Sequence, residues 1–154
     1  MAHVKRQIRD GVKSVLKTLP DLASVHSESR TYRAAQRNEF PMAIVSVAEN
    51  VELADKNPVG SRILQRNMNI GVTLAVRDAN DEAEDILDDL SVVVEKALLL
   101  PSSIGAGKLM FWRFNGSGTM SGEPTEDGII VVQPLNFSCS VMTKDTEPDV
   151  NLHQ

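Results

Sequence analysis

Between Leu64 and Val76 the even positions read Leu64, Arg66, Met68, Ile70, Val72, Leu74 and Val76, with Gln65, Asn67, Asn69, Gly71, Thr73 and Ala75 between them. Successive side chains of a β-strand point to opposite faces, so this order builds one apolar row and one largely polar row. A helix would scatter both sets around its circumference. The stretch is therefore a strand with one buried face, well beyond the usual length of about five or six residues. Its start is expected to project past the sheet. Arg66 interrupts the apolar row, and its guanidinium is expected to lie beyond the core.

A strand of this kind needs neighbours in its sheet and an apolar layer over its even face. Two segments can supply the layer. Val4, Ile8, Val12, Val15, Leu16 and Leu19 recur at helical spacing, with Lys5, Arg6, Arg9, Asp10, Lys13 and Lys17 between them, and Pro20 closes the segment. Gly11 inside it costs a helix about 1 kcal/mol relative to alanine. The second helix is expected over residues 78–100. Asp78, Asn80 and Asp81 supply oxygen-bearing caps, and Ala83, Ile86, Leu87, Leu90, Val93, Val94, Ala97 and Leu98 form the apolar stripe.

Further strands are expected at residues 22–27, from Pro41 to Val47, at residues 108–115 and at residues 129–141. Pro134 cannot donate to a ladder, so it predicts an edge position or a bulge for the last strand. Residues 28–39, 49–61 and 116–128 read as exposed connections, the last rich in glycine. The expected fold is α+β: a mainly antiparallel β-sheet of four to five strands with two α-helices packed on one face. Residues 1–143 make one domain and residues 144–154 a flexible C-terminal tail.

Groups that carry chemistry are sparse. Gly105-Ala106-Gly107-Lys108 superficially resembles a phosphate loop, but Leu109 and a strand follow where a hydroxyl residue and a helix are required. His3, His26 and His153 show no metal-ligand spacing with one another or with the single cysteine. Cys139 alternates with core residues and reads as a small buried apolar side chain. No catalytic, cofactor-binding or metal-binding residue is assigned. With 4% aromatic residues, base-stacking surfaces for single-stranded nucleic acid would be thin. The net charge of −5 argues against general phosphate binding. No run approaches the ~18 apolar residues of a membrane span.

Charge is divided along the chain. Residues 1–77 carry 12 Lys and Arg against 7 Asp and Glu, and residues 78–154 carry 4 against 14. Oppositely charged flanks on one small domain favour head-to-tail contact between copies, which closes into a ring or extends into a filament. Arg30, Arg33 and Arg37 in the first polar connection, with Arg62 and Arg66 at the start of the long strand, are the expected basic contacts. Asp85, Asp88 and Asp89 on the second helix are the expected acidic ones. Arg30, Arg33, Arg37 and Arg66 are expected to meet those acids of a neighbour.

This order of elements resembles the tail terminator proteins of long-tailed bacteriophages, of the lambda minor tail protein U type. The resemblance covers residues 4–143: the helix ending at Leu19-Pro20, the arginine-bearing loop before Pro41 to Val47, the long strand from Arg62 to Arg77, the acidic helix and the closing strand. It implies a structural virion protein that forms a ring, usually a hexamer, on the head-proximal end of the tail tube. Such a ring stops tube polymerisation and offers the surface that joins the head. Implied partners are the chain itself, the tail tube protein and a head–tail connector, with DNA passing only as cargo. No enzyme activity, cofactor or membrane is implied. The location would be the virion, after assembly in the host cytoplasm. Another neck or tail-completion protein is the alternative, followed by a small ligand-binding module or enzyme.

Overall fold

The computed structural model describes residues 2–28, 35–54, 62–77, 80–99, 104–105, 107–125 and 128–153. Its elements are α1 (Val4–Lys17), β1 (Ser24–Ser27), β2 (Met42–Leu53), β3 (Ile63–Arg77), α2 (Ala83–Ala97), β4 (Trp112–Ser117), β5 (Ser121–Thr125) and β6 (Gly128–Lys144). The fold is α+β, as its sequence predicts, with six strands instead of four to five. Among the described residues no helix is long and apolar enough to cross a membrane.

The sheet runs β1-β2-β3-β6-β4, with β5 also paired to β6. Among the described residues only β1 and β2 run parallel; the other pairs are antiparallel. The alternating segment is the central strand β3. It pairs along its whole length, with β2 from Met42 opposite Ala75 to Leu53 opposite Leu64, and with β6 from Ile63 opposite Lys144 to Arg77 opposite Ile130. The start of β3 therefore does not project past the sheet. It stays inside because β2 continues to Leu53, through part of the stretch expected as a connection.

Even residues of β3 face the helices. Met68, Ile70, Val72, Leu74 and Val76 join Ala43 and Val45 of β2, with Leu135, Phe137, Cys139 and Val141 of β6, in the main core. Val4, Ile8, Val12 and Leu16 of α1 and Leu87, Leu90 and Val94 of α2 close that core from above. Each helix buries one stripe and leaves its charges outside. α1 lies across β1 and β2, and α2 across β3 and β6. A smaller cluster on the opposite face, built from Met42, Ile44, Ala75, Ile130 and Val132, is covered by Ala35 and Phe40.

Three expectations about the C-terminal third need correction. β6 is not an edge strand, because β3 lies on one side of it and β4 and β5 on the other. Pro134 is tolerated there for a local reason. β4 ends with Ser117 opposite Leu135 and β5 begins with Ser121 opposite Val132, so Pro134 stands at the gap between them. Its carbonyl accepts from Gly118 N–H on that side, so the nitrogen that lacks a hydrogen also faces the gap. The glycine-rich connection thus contains a strand, β5.

Residues 145–153 are not a loose tail. Pro148 O accepts from Val4 N–H at 3.0 Å, Asp149 O accepts from Gln7 Nε2 at 2.8 Å, and His153 O accepts from Lys108 N–H at 2.9 Å. Asn151 is buried and donates to Lys108 O. Through Val4 N–H this segment satisfies one of the orphan backbone donors that any helix N-terminus leaves open, and it also holds the Gln7 side chain.

Candidate assembly surface

Arg66 is on the apolar row of β3, at the end of the core, and is only 6% exposed. Glu49 lies on the same face of neighbouring β2, and Arg66 Nη1 is 3.3 Å from each of its carboxylate oxygens. Arg66 Nε donates to Thr143 Oγ1 of β6 at 2.9 Å. A buried guanidinium is tolerated only when paired and hydrogen-bonded, and this one has both kinds of partner inside its own chain. The sequence expectation that its head lies beyond the core is wrong. The alternation was correctly read, but the carboxylate on the adjacent strand was not visible in it.

Arg62 is likewise engaged at home, with Nε 3.3 Å from Asp145 Oδ2. Arg30 and Arg33 lie outside the described residues. Arg37 is exposed in a short 3-10 turn, Arg37–Glu39, on the segment covering the face away from the helices. Asp85, Asp88 and Asp89 are exposed on the outer side of α2. Val92, half exposed, follows them one helical turn on and gives the acidic stripe an apolar member. Contact surfaces need such apolar area, since exposed ion pairs contribute only about 0.2–1 kcal/mol each.

The two helices place opposite charge toward opposite edges of the sheet. Lys5, Arg6, Arg9, Lys13 and Lys17 ride on α1, over the β1–β2 side, and the acids of α2 ride over the β3–β6 side. Some of the basic charge is used internally, as Arg6 pairs with Asp10 at 3.3 Å and Lys13 donates to Ser27 Oγ at 2.8 Å.

The sheet edges beneath carry charge of the reverse sign. β1 covers β2 only from Met42 to Val45; among the described residues the rest of that edge, where Val51, Glu52 and Leu53 are exposed, has no strand neighbour. At the other edge β4 and the segment before it expose Lys108, Met110, Phe111, Arg113 and Phe114. The Arg113 guanidinium stands 5.1 Å over the Phe111 ring, and Phe114 packs at 5.1 Å against the buried Phe137. Sequence reasoning missed both edges. The clue was present in the alternation of residues 49–53, which continues the strand beyond Val47.

Among the described residues, reactive groups do not converge. His26 pairs with Ile44 on the face away from the helices, whereas Cys139 belongs to the helix-side core. Burial pushes the Cys139 thiol up to about 12. Among the described residues no group of three or more His, Cys, Asp and Glu could hold a metal ion. Gly105 and Gly107 adopt φ of 75° and 80°, the turn conformation that glycine favours, between α2 and β4. An open groove of about 440 Å³ lies between the start of α2 and β5, lined by Asp81, Glu84, Met120 and Val131 among others.

No family model and no curated protein matches the sequence. Among solved structures, a chain of the virion of native gene transfer agent (GTA) particle is similar over 92% of this chain and 92% of that chain, at 16% identity and a TM-score of 0.41.

Proposed function

We propose that the chain is a structural tail terminator of a phage or prophage, whose copies join head-to-tail into a six-membered ring on the head-proximal end of the tail tube. The observation that carries this reading is the division of charge between flanks. A basic helix lies over one side of the sheet and an acidic helix over the other, so one copy's flank complements the opposite flank of the next. A repeated heterologous contact closes when the rotation per copy divides a full turn. The order of helix, strands, helix and strands adds the terminator resemblance to that geometry.

In the ring, Asp85, Asp88 and Asp89 face the basic flank of the next copy, where Arg6 and Lys17 of α1 are exposed, while Arg37, exposed on the segment over the other face of the sheet, adds basic charge on the far side of that flank. Arg30 and Arg33 belong to the same proposed contact. Arg62 and Arg66, drawn from the sequence into that set, are committed to Asp145 and Glu49 of their own chain. The ring stops addition of tail tube protein, presents its other face to the head–tail connector and lets DNA pass through its centre. The reading assigns no reaction, metal or cofactor to the chain, and places it in the virion.

Electron microscopy of particles assembled without the protein tests the assignment. Overlong tails are expected. Tails of normal length that remain detached from heads would move the protein to a joining role in the neck and overturn termination.

A further inference from the structure

We infer that the copies meet through the two sheet edges left exposed among the described residues, with Glu52 at the free end of β2 against Arg113 of β4 in the next copy, and Val51 and Leu53 against Phe114. This inference rests on the ring reading and specifies the contact within it. Its occupant is a second copy of the chain.

The alternation of the strands sets the faces. On β2, Ala43 and Val45 point to the helix side, so Val51 and Leu53 share that side and Glu52 takes the other. On β4, Trp112 and Phe114 pack on Phe137 at the helix side, so Arg113 takes the other. A head-to-tail neighbour keeps its helix layer on the same side of the sheet. Apolar residues then meet apolar residues on the helix side, and the carboxylate meets the guanidinium on the far side. Neither Glu52 nor Arg113 has an ion-pair partner among the described residues.

Charge also discriminates between symmetries. A two-fold contact through β2 would bring Glu52 against its own copy beneath two basic α1 helices, and one through β4 would oppose two Arg113 side chains beneath two acidic α2 helices. Like charges at close quarters are destabilising. The head-to-tail contact is complementary in both layers, α1 to α2 above and β2 edge to β4 edge below. Exposed Val51 and Leu53, at 41% and 57%, supply the apolar area that the ion pair lacks.

Cysteine pairs test the contact. Both positions are exposed, so Glu52→Cys and Arg113→Cys leave the core untouched, and the native Cys139 is buried and does not compete. Chains carrying both substitutions are oxidised as concentrated free protein and in assembled tails. A ladder of covalent oligomers is expected, with neither single variant forming a covalent dimer. Dimers from one single variant, without the ladder, would show a two-fold contact and overturn the inference. Absence of cross-links in both samples would overturn it as well. Overlong tails without the protein, together with an absent ladder, would keep the terminator reading and remove this contact alone.

Discussion

Gly11 and Arg66 show how a correct local reading can reverse its sign once neighbours are known. From the sequence, Gly11 is a weakness in α1, and replacing it with alanine should stabilise the helix by about 1 kcal/mol. In the structure a Cβ on Gly11 would stand 1.9 Å from the backbone oxygen of Ile104. That oxygen cannot rotate away as a side chain can, so the contact must open. Gly11→Ala is therefore expected to destabilise the protein by about 1–3 kcal/mol, the usual cost of overpacking. Urea unfolding at neutral pH checks the sign: a lower midpoint agrees, and a higher one would return the residue to its helix-propensity role. Arg66 has the same lesson. Its position on the apolar row was legible, but the pairing with Glu49 depends on register between β2 and β3, which no short-range pattern encodes.

At the level of elements, periodicity located most of what formed. α1, β3 and the apolar stripe of α2 followed from spacing, because each buries one face and must repeat with the period of its own geometry. The ends were less legible. β2 runs on to Leu53 because β3 is available beside it, and β5 forms within a glycine-rich stretch because β6 extends far enough to pair with it. The segment after β6 looked loose since it lacks periodicity, yet polar caps need none. It holds the start of α1 through Pro148 and Asp149, and Lys108 in the segment before β4 through Asn151 and His153. Each such bond contributes about 0.5–1.5 kcal/mol. A chain ending at Lys144 is expected to lose about 2–4 kcal/mol of stability. Thermal unfolding followed by circular dichroism measures it, and an unchanged midpoint would mean that these bonds only replace equally good ones to water.

For the whole molecule the decisive feature is that opposite charges sit on two adjacent helices of one layer, each over a different side of the sheet. Charges near the surface interact over about 8 Å at physiological ionic strength. Self-association between flanks is therefore expected to weaken as sodium chloride is raised, which sedimentation at several salt concentrations would show. Association that strengthens with salt would assign the contact to apolar area alone. The sequence by itself determined the fold class, the strand with one buried face, both amphipathic helices and the unequal division of charge, since each is a local or summed property of the chain. Only the tertiary structure decided that Arg62 and Arg66 are spent internally, that β4 and the part of β2 beyond β1 have exposed edges, and that Glu52 and Arg113 lie toward opposite edges of the sheet. Those outcomes depend on which strands become neighbours and in what register, and pairing across the sheet joins residues far apart in the chain.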